Sequence, residues 1–96
     1  MKARDLVMDM AKKHPMMGWR QVAVAILAHE APRDAPQTVR GMAAVLDINK
    51  PAVTRALDAL EDAGFYQRRR DPADKRSVLV SQTAAGRKFV ERLLAA

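Results

Sequence analysis

Apolar residues recur along the chain first at a helical period and later at a strand period. Ala3, Leu6, Val7 and Met10 follow the i, i+3, i+4, i+7 spacing of one helical face, and Pro15 closes that segment. Trp19, Val22, Ala23, Ile26 and Leu27 repeat the spacing and predict a second helix from about Gly18 to Glu30. Pro32, Asp34 and Pro36 make Ala31 to Gln37 a loop. A short helix is expected over roughly Arg40 to Leu46, with Val39, Met42, Ala43 and Leu46 on one side. Asp47 and Ile48 then form a tight connection, and Asn49 is a good N-cap for a fourth helix over 49–63. Pro51 stands in its first turn, where a missing N–H breaks no helical bond. Val53, Ala56, Leu57, Leu60 and Ala63 mark its apolar stripe, and Gly64 supplies the stop.

Beyond Gly64 the period shortens to two. Residues 65–70 and 77–82 are short enough to be strands, and in the second Val78 and Val80 share the face opposite Leu79 and Ser81. The polar stretch from Asp71 to Arg76 is too short for a parallel crossover, so the strands pair antiparallel as a hairpin. Thr83 is the N-cap of a last helix carrying Phe89, Val90, Leu93 and Leu94. This order predicts a mainly α fold with a small β-hairpin wing (α+β), that is, a winged helix-turn-helix. One domain spans 1–96, with an N-terminal helix in 1–15, a core in 18–82 and a C-terminal helix in 83–96.

Composition removes several function classes. The chain has no cysteine, which excludes disulfides, thiolate zinc sites and a cysteine nucleophile. His14 and His29 have no third ligand at metal spacing and read as surface residues, so neither a metal nor another cofactor is expected. No Ser/His/Asp set or phosphate-cradling glycine loop is visible. Asp71 and Asp74 lie among arginines that would keep both ionised, so no catalytic residue is assigned and an enzyme is not expected. The uncharged run from Gln21 to His29 falls far short of the roughly 20 residues of a membrane span. The first ten positions mix Lys2, Arg4, Asp5 and Asp9 with apolar residues, unlike a secretory signal, so a cytoplasmic location is expected.

Charge adds a direction. The net charge is +6, yet residues 1–64 hold nine Lys/Arg against eight Asp/Glu, while 65–96 hold eight against three. Such a local excess implies an anionic partner for that part of the chain. On the fourth helix, Lys50, Thr54 and Arg55 lie opposite the apolar stripe and near the N-terminus, the part that enters the major groove in helix-turn-helix proteins. Arg55 is the best candidate for a bidentate contact to guanine. Asp58, Glu61 and Asp62 come later, where they would point away from a duplex or cap other contacts. The hairpin adds Arg68, Arg69, Arg70, Lys75 and Arg76 within nine positions, with Arg68 and Arg70 on one face and Arg69 on the other. Arg76 at the tip can reach a minor groove, and Asp74 can hold its guanidinium in place.

These residues carry a family resemblance. Ile48-Asn49-Lys50-Pro51-Ala52-Val53-Thr54-Arg55, followed by Leu57, Leu60-Glu61 and Gly64, resembles the recognition helix of MarR-family regulators. Arg68-Arg69-Arg70-Asp71-Pro72-Ala73-Asp74-Lys75-Arg76-Ser77 resembles their wing, including the Asp-x-Arg-Ser signature, and Ser81-Gln82-Thr83 to Gly86-Arg87 resembles the junction into their closing helix. The helix pattern also occurs in GntR-type regulators, whose wings tend to be glycine-rich, so the wing is the specific part.

The resemblance implies a sequence-specific regulator of transcription that binds double-stranded DNA and represses by occupying promoters. The implied contact set is Asn49, Lys50, Pro51, Ala52, Thr54 and Arg55 on the helix, with Arg68, Arg70, Asp74, Lys75 and Arg76 on the wing. Within it, Arg76 would be the minor-groove residue and Asp74 its orienting partner. Pro51 and Ala52 stand where hydroxyl or amide side chains are common, which implies leaner base readout and more dependence on DNA shape. Gly41, early in the short helix, and Gln82, in place of an apolar residue, also depart from the pattern. The family's long terminal helices build a homodimer and an effector cavity. Here Leu6, Val7, Met10, Phe89, Val90, Leu93 and Leu94 could form such an interface or simply complete the monomer's core. The terminal helices read as short, and no small-molecule effector is assigned. A protein-interaction module or antirepressor on the same fold is the alternative, since fold does not fix function.

Overall fold

Three helices begin at a residue whose side-chain oxygen satisfies an otherwise orphaned backbone N–H. Thr38 Oγ1 accepts from Gly41 N at 2.9 Å, Asn49 Oδ1 from Ala52 N at 2.8 Å and Thr83 Oγ1 from Gly86 N at 3.0 Å. A computed structural model describes residues 2–15 and 17–95; Met1, Met16 and Ala96, which include the outer ends of the 1–15 and 83–96 segments, lie outside them. The element order is α1 (Ala3–Lys13), α2 (Trp19–Glu30), α3 (Val39–Leu46), α4 (Lys50–Asp62), β1 (Tyr66–Arg70), β2 (Val78–Gln82) and α5 (Ala84–Ala95). This is the winged helix-turn-helix expected from the pattern.

The turn between α3 and α4 depends on Asp47, which adopts the left-handed conformation at φ 53° and donates its N–H to the carbonyls of Ala43 and Ala44. A short polar side chain tolerates that conformation better than an apolar one. After α4, Gly64 at φ 79° turns the chain, and Phe65 N–H donates to Leu60 O at 2.9 Å. β1 and β2 pair antiparallel with Arg68 opposite Val80 and Arg70 opposite Val78. The segment before α3 is more than a loop. Thr38 forms an antiparallel bridge with Leu79, and Val80 N–H donates to Gln37 O at 3.0 Å. The wing is therefore hydrogen-bonded to the start of α3 along its second strand.

The core lies where α2, α4, the hairpin and α5 meet. Val53, Ala56, Leu57 and Leu60 bury the expected stripe of α4, while Val80, Phe89 and Val90 close it from the hairpin and α5. Phe65 stacks on Phe89 at 4.6 Å between ring centroids, and His14 tilts against Phe65 at 5.3 Å. Tyr66 is fully buried, but its hydroxyl donates to Ala25 O at 2.6 Å and accepts from Gln82 Nε2 at 3.1 Å. Burial pushes its phenol up to about 12, partly offset by the Gln82 hydrogen bond.

Two readings of the pattern need correction. The expected stripe of α2 began at Trp19, yet Trp19 is 88% exposed and the buried residues are Val24 and Ala25. From Val22 to Ala28 every residue is apolar, so periodicity had no polar positions with which to choose the inward face. The histidines are not plain surface residues either: both are half-buried, His14 against Phe65 and His29 against Gln82, with its Nδ1 2.9 Å from Gln82 Nε2. Gly86 explains how α5 docks, because a Cβ there would sit 2.0 Å from the Phe65 carbonyl oxygen. Among the described residues no helix is long and apolar enough to cross a membrane.

Candidate nucleic-acid interface

The head of α4 is built to be accessible. Its buried stripe faces α2 and α3, which leaves Lys50, Pro51, Thr54 and Arg55 exposed on the opposite side. Among the described residues neither Lys50 nor Arg55 has a carboxylate within ion-pair distance. No acidic residue stands in the first turn, so the positive end of the helix dipole reinforces these cations instead of being neutralised.

Four members of the expected contact set have other duties, Arg70 in the wing turn and three on or against α4. Ala52 is only 5% exposed, because its methyl lies on the inward side of the first turn; it is removed from the accessible surface on that ground. Asn49 is exposed, but its side-chain oxygen is occupied as the N-cap. Arg68 is the larger correction. Its Nε donates to Glu61 Oε1 at 3.0 Å and its Nη2 to Asp58 Oδ1 at 2.6 Å, and its backbone N–H also reaches Glu61 Oε1 at 3.0 Å. Its side chain keeps only 22% exposure. The hydrogen bond from Arg68 holds the Glu61 carboxyl below its usual value, and Glu61 in turn raises the Arg68 guanidinium. The residue expected on the contact face instead clamps β1 to the middle of α4.

The wing tip is ordered by its own polar groups. Asp74 Oδ1 accepts from Arg76 N at 3.1 Å and Arg76 Nε at 3.4 Å, while Ser77 Oγ donates to Asp74 Oδ2 at 3.3 Å. The Arg76 backbone N–H, first among these donors, holds the Asp74 carboxyl below its ordinary value. The Arg76 side chain remains 84% exposed, and Lys75 is exposed beside it. Arg70 is exposed but folds inward within the turn, its Nη1 donating to Lys75 O at 2.5 Å. Asp71 completes the turn by accepting from Ala73 N at 2.9 Å. Arg40 was not singled out from sequence: it stands on the exposed side of the first turn of α3, and its charge also lowers Asp74, which places it beside the wing turn. The bridge between Thr38 and Leu79 is what brings it there, and a loop reading of 31–37 gave no hint of that pairing.

A helix-turn-helix whose second helix shows a bare cationic head, followed by an arginine-tipped hairpin braced against it, defines the winged-helix class. The family model described as MarR family matches residues 27–78, more than half of the chain, and the chain belongs to that family. Solved structures agree in fold. The chain is similar to MepR of Staphylococcus aureus, solved as a MepR–DNA complex, with a TM-score of 0.81 and 21% identity over 96% of this chain and 73% of that one. It is similar to a MarR-family transcriptional regulator from Rhodococcus sp. RHA1, with a TM-score of 0.78 and 24% identity over 97% of this chain and 60% of that one. It is also similar to apo MarR from E. coli, with a TM-score of 0.71 and 29% identity over 94% of this chain and 64% of that one. No curated protein matches it by sequence.

Proposed function

We propose that this protein binds double-stranded DNA sequence-specifically and represses transcription by occupying promoter sites. The supporting observation is the joint presentation of Lys50 and Arg55, without ion pairs among the described residues, on the head of α4 and an oriented Arg76 on a wing clamped to that helix. In this reading Arg55 meets base edges in the major groove, Lys50 and Thr54 meet base or phosphate, and Arg76 enters the minor groove with Asp74 fixing its angle. Lys75 and Arg40 would contact phosphates, Pro51 would pack against the duplex, and Arg70 would hold the turn in shape. Arg68 acts indirectly by setting the angle between wing and helix. That MepR was solved with DNA bound supports the same use of the shared fold.

The terminal helices are proposed as the contact with a second copy of the chain. Val7, Trp19 and Leu94 are 62%, 88% and 56% exposed, and Val7 and Trp19 border an apolar groove of about 340 Å³ between α1, α2 and α5. Leu6, Phe89 and Val90 are buried within the monomer, so they belong to its core and the exposed members of the sequence's candidate set carry the interface.

Titration of a labelled duplex at several salt concentrations tests DNA binding. The logarithm of affinity should fall linearly with the logarithm of salt, by about 0.9 per phosphate neutralised. Arg76→Ala should weaken binding across sequences, whereas Arg55→Ala should cost about 1–3 kcal/mol on the preferred sequence and relax base preference. Affinity that stays flat from low to physiological salt would show the cationic surface to be misassigned.

A further inference from the structure

We propose that the cleft where the end of α2, the 31–37 linker, β2 and the start of α5 meet binds a compact, multiply charged oxyanion free in solution, of the phosphate-ester type. Three arginines from three separate segments line it: Arg33 on the linker, Arg69 on β1 and Arg87 on α5. Among the described residues none of the three has an ion-pair partner, and no carboxylate lines the cleft. Three uncompensated guanidiniums facing one space repel each other, and an anion placed among them turns that repulsion into attraction. Their planar forks suit the paired oxygens of phosphate, which a single ammonium would not match.

One neutral donor, on His29, completes the arrangement. Gln82 Nε2 donates to His29 Nδ1 at 2.9 Å and to Tyr66 Oη at 3.1 Å, and Tyr66 in turn donates to Ala25 O at 2.6 Å. With Nδ1 accepting, the neutral imidazole carries its proton on Nε2 as a further donor. The ring is thus tied through Gln82 to a buried hydroxyl, which fixes its orientation before any ligand arrives. Gln82 is the position where the family pattern has an apolar residue, so this chain of hydrogen bonds belongs to this sequence. The cleft volume of about 480 Å³ lies within the range of small-molecule sites.

The position favours a free anion over a duplex phosphate. Arg69 and Ser81 alternate with Arg68 and Val80, and Arg68 turns toward α4 while Val80 is buried. Arg69, Leu79 and Ser81 therefore reach the cleft from the hairpin face turned away from α4, although Val80 and Gln82, on the other face, also line it, and the anion site does not depend on the DNA-binding reading.

Calorimetric titration with inorganic pyrophosphate, at ionic strength held constant with chloride, tests the site. Saturable binding of one pyrophosphate per chain is expected for the unaltered protein and for Arg20→Gln, an exposed arginine outside the cleft. The Arg69→Gln/Arg87→Gln double variant should lose about tenfold or more in affinity. Both positions are exposed, and an unchanged melting curve without ligand will show that the variant is folded. Absence of saturable heat, or equal affinity in the double variant, overturns the proposal. So does a result in which pyrophosphate fails to bind while the double variant loses duplex affinity as severely as Arg55→Ala, because the cleft would then be a DNA phosphate contact.

Discussion

Arg68 shows how one side chain can change its meaning between sequence and structure. In the sequence it is one of three consecutive arginines, and strand alternation correctly separates it from Arg69. What alternation cannot show is that Asp58 and Glu61, one turn apart on α4, lie directly within its reach. Those acidic residues read as pointing away from DNA or capping other contacts, and the second alternative is what they do. The asymmetry is physical: pattern reveals which face a residue occupies, while partners separated by seven to ten positions across a turn depend on tertiary geometry. Asp74 and Arg76 were legible for the opposite reason, since two residues within one turn must meet. Glu61→Gln should destabilise the chain by about 1 kcal/mol, a modest value because the pair is partly exposed and screened. The folded-state Glu61 value lies below its ordinary 4.5, so its contribution is complete above that pH and fades as pH falls toward the folded-state value. Denaturant melts between pH 7 and pH 3 should show part of the acid-induced loss in the unaltered protein and less of it in Glu61→Gln.

At the scale of elements, the helices with caps and breakers were the most readable. Asn49, Pro51 and Gly64 bracket α4 almost to the residue, and Thr83 marks the start of α5. The orientation of α2 was not readable, because a helix apolar on nearly all sides has no preferred inward face until its neighbours are in place. The pairing along the free side of β2 was also hidden, since a single bridge at Thr38 leaves no strand period in the sequence. The docking of α5 rests on Gly86, which lets the helix approach the Phe65 backbone while Thr83 Oγ1 donates to Gly64 O at 2.6 Å. Gly86→Ala should therefore lower stability even though alanine favours helix. The added methyl would force α5 off Phe65 and disturb the Phe65–Phe89 stack, at a cost of about 1–3 kcal/mol or more. Thermal denaturation reads this directly; an unchanged or raised midpoint would mean that the close contact relaxes freely.

Across the whole molecule, the proposed contact cations and most exposed apolar residues sit on different elements. Lys50, Arg55, Lys75 and Arg76 stand on α4 and the wing, whereas Val7, Met8, Trp19 and Leu94 stand on α1, the start of α2 and the end of α5. Those three segments also carry exposed Arg4, Lys12, Lys13, Arg20 and Arg92, and Val45 on α3 is the apolar exception. In the proposed assembly a second copy covers the apolar side, and the pair then offers two helix-and-wing units to one duplex. Dimethyl sulfate protection on a duplex selected for binding interrogates both grooves in one experiment, because it modifies guanine N7 in the major groove and adenine N3 in the minor groove. The account predicts protection of both atoms in each half-site, with two half-sites as an inverted repeat about one helical turn apart. Arg55→Ala should release only the guanine signal and Arg76→Ala only the adenine signal. Protection confined to one groove, or unaffected by either substitution, would contradict the claim that helix and wing grip the duplex together.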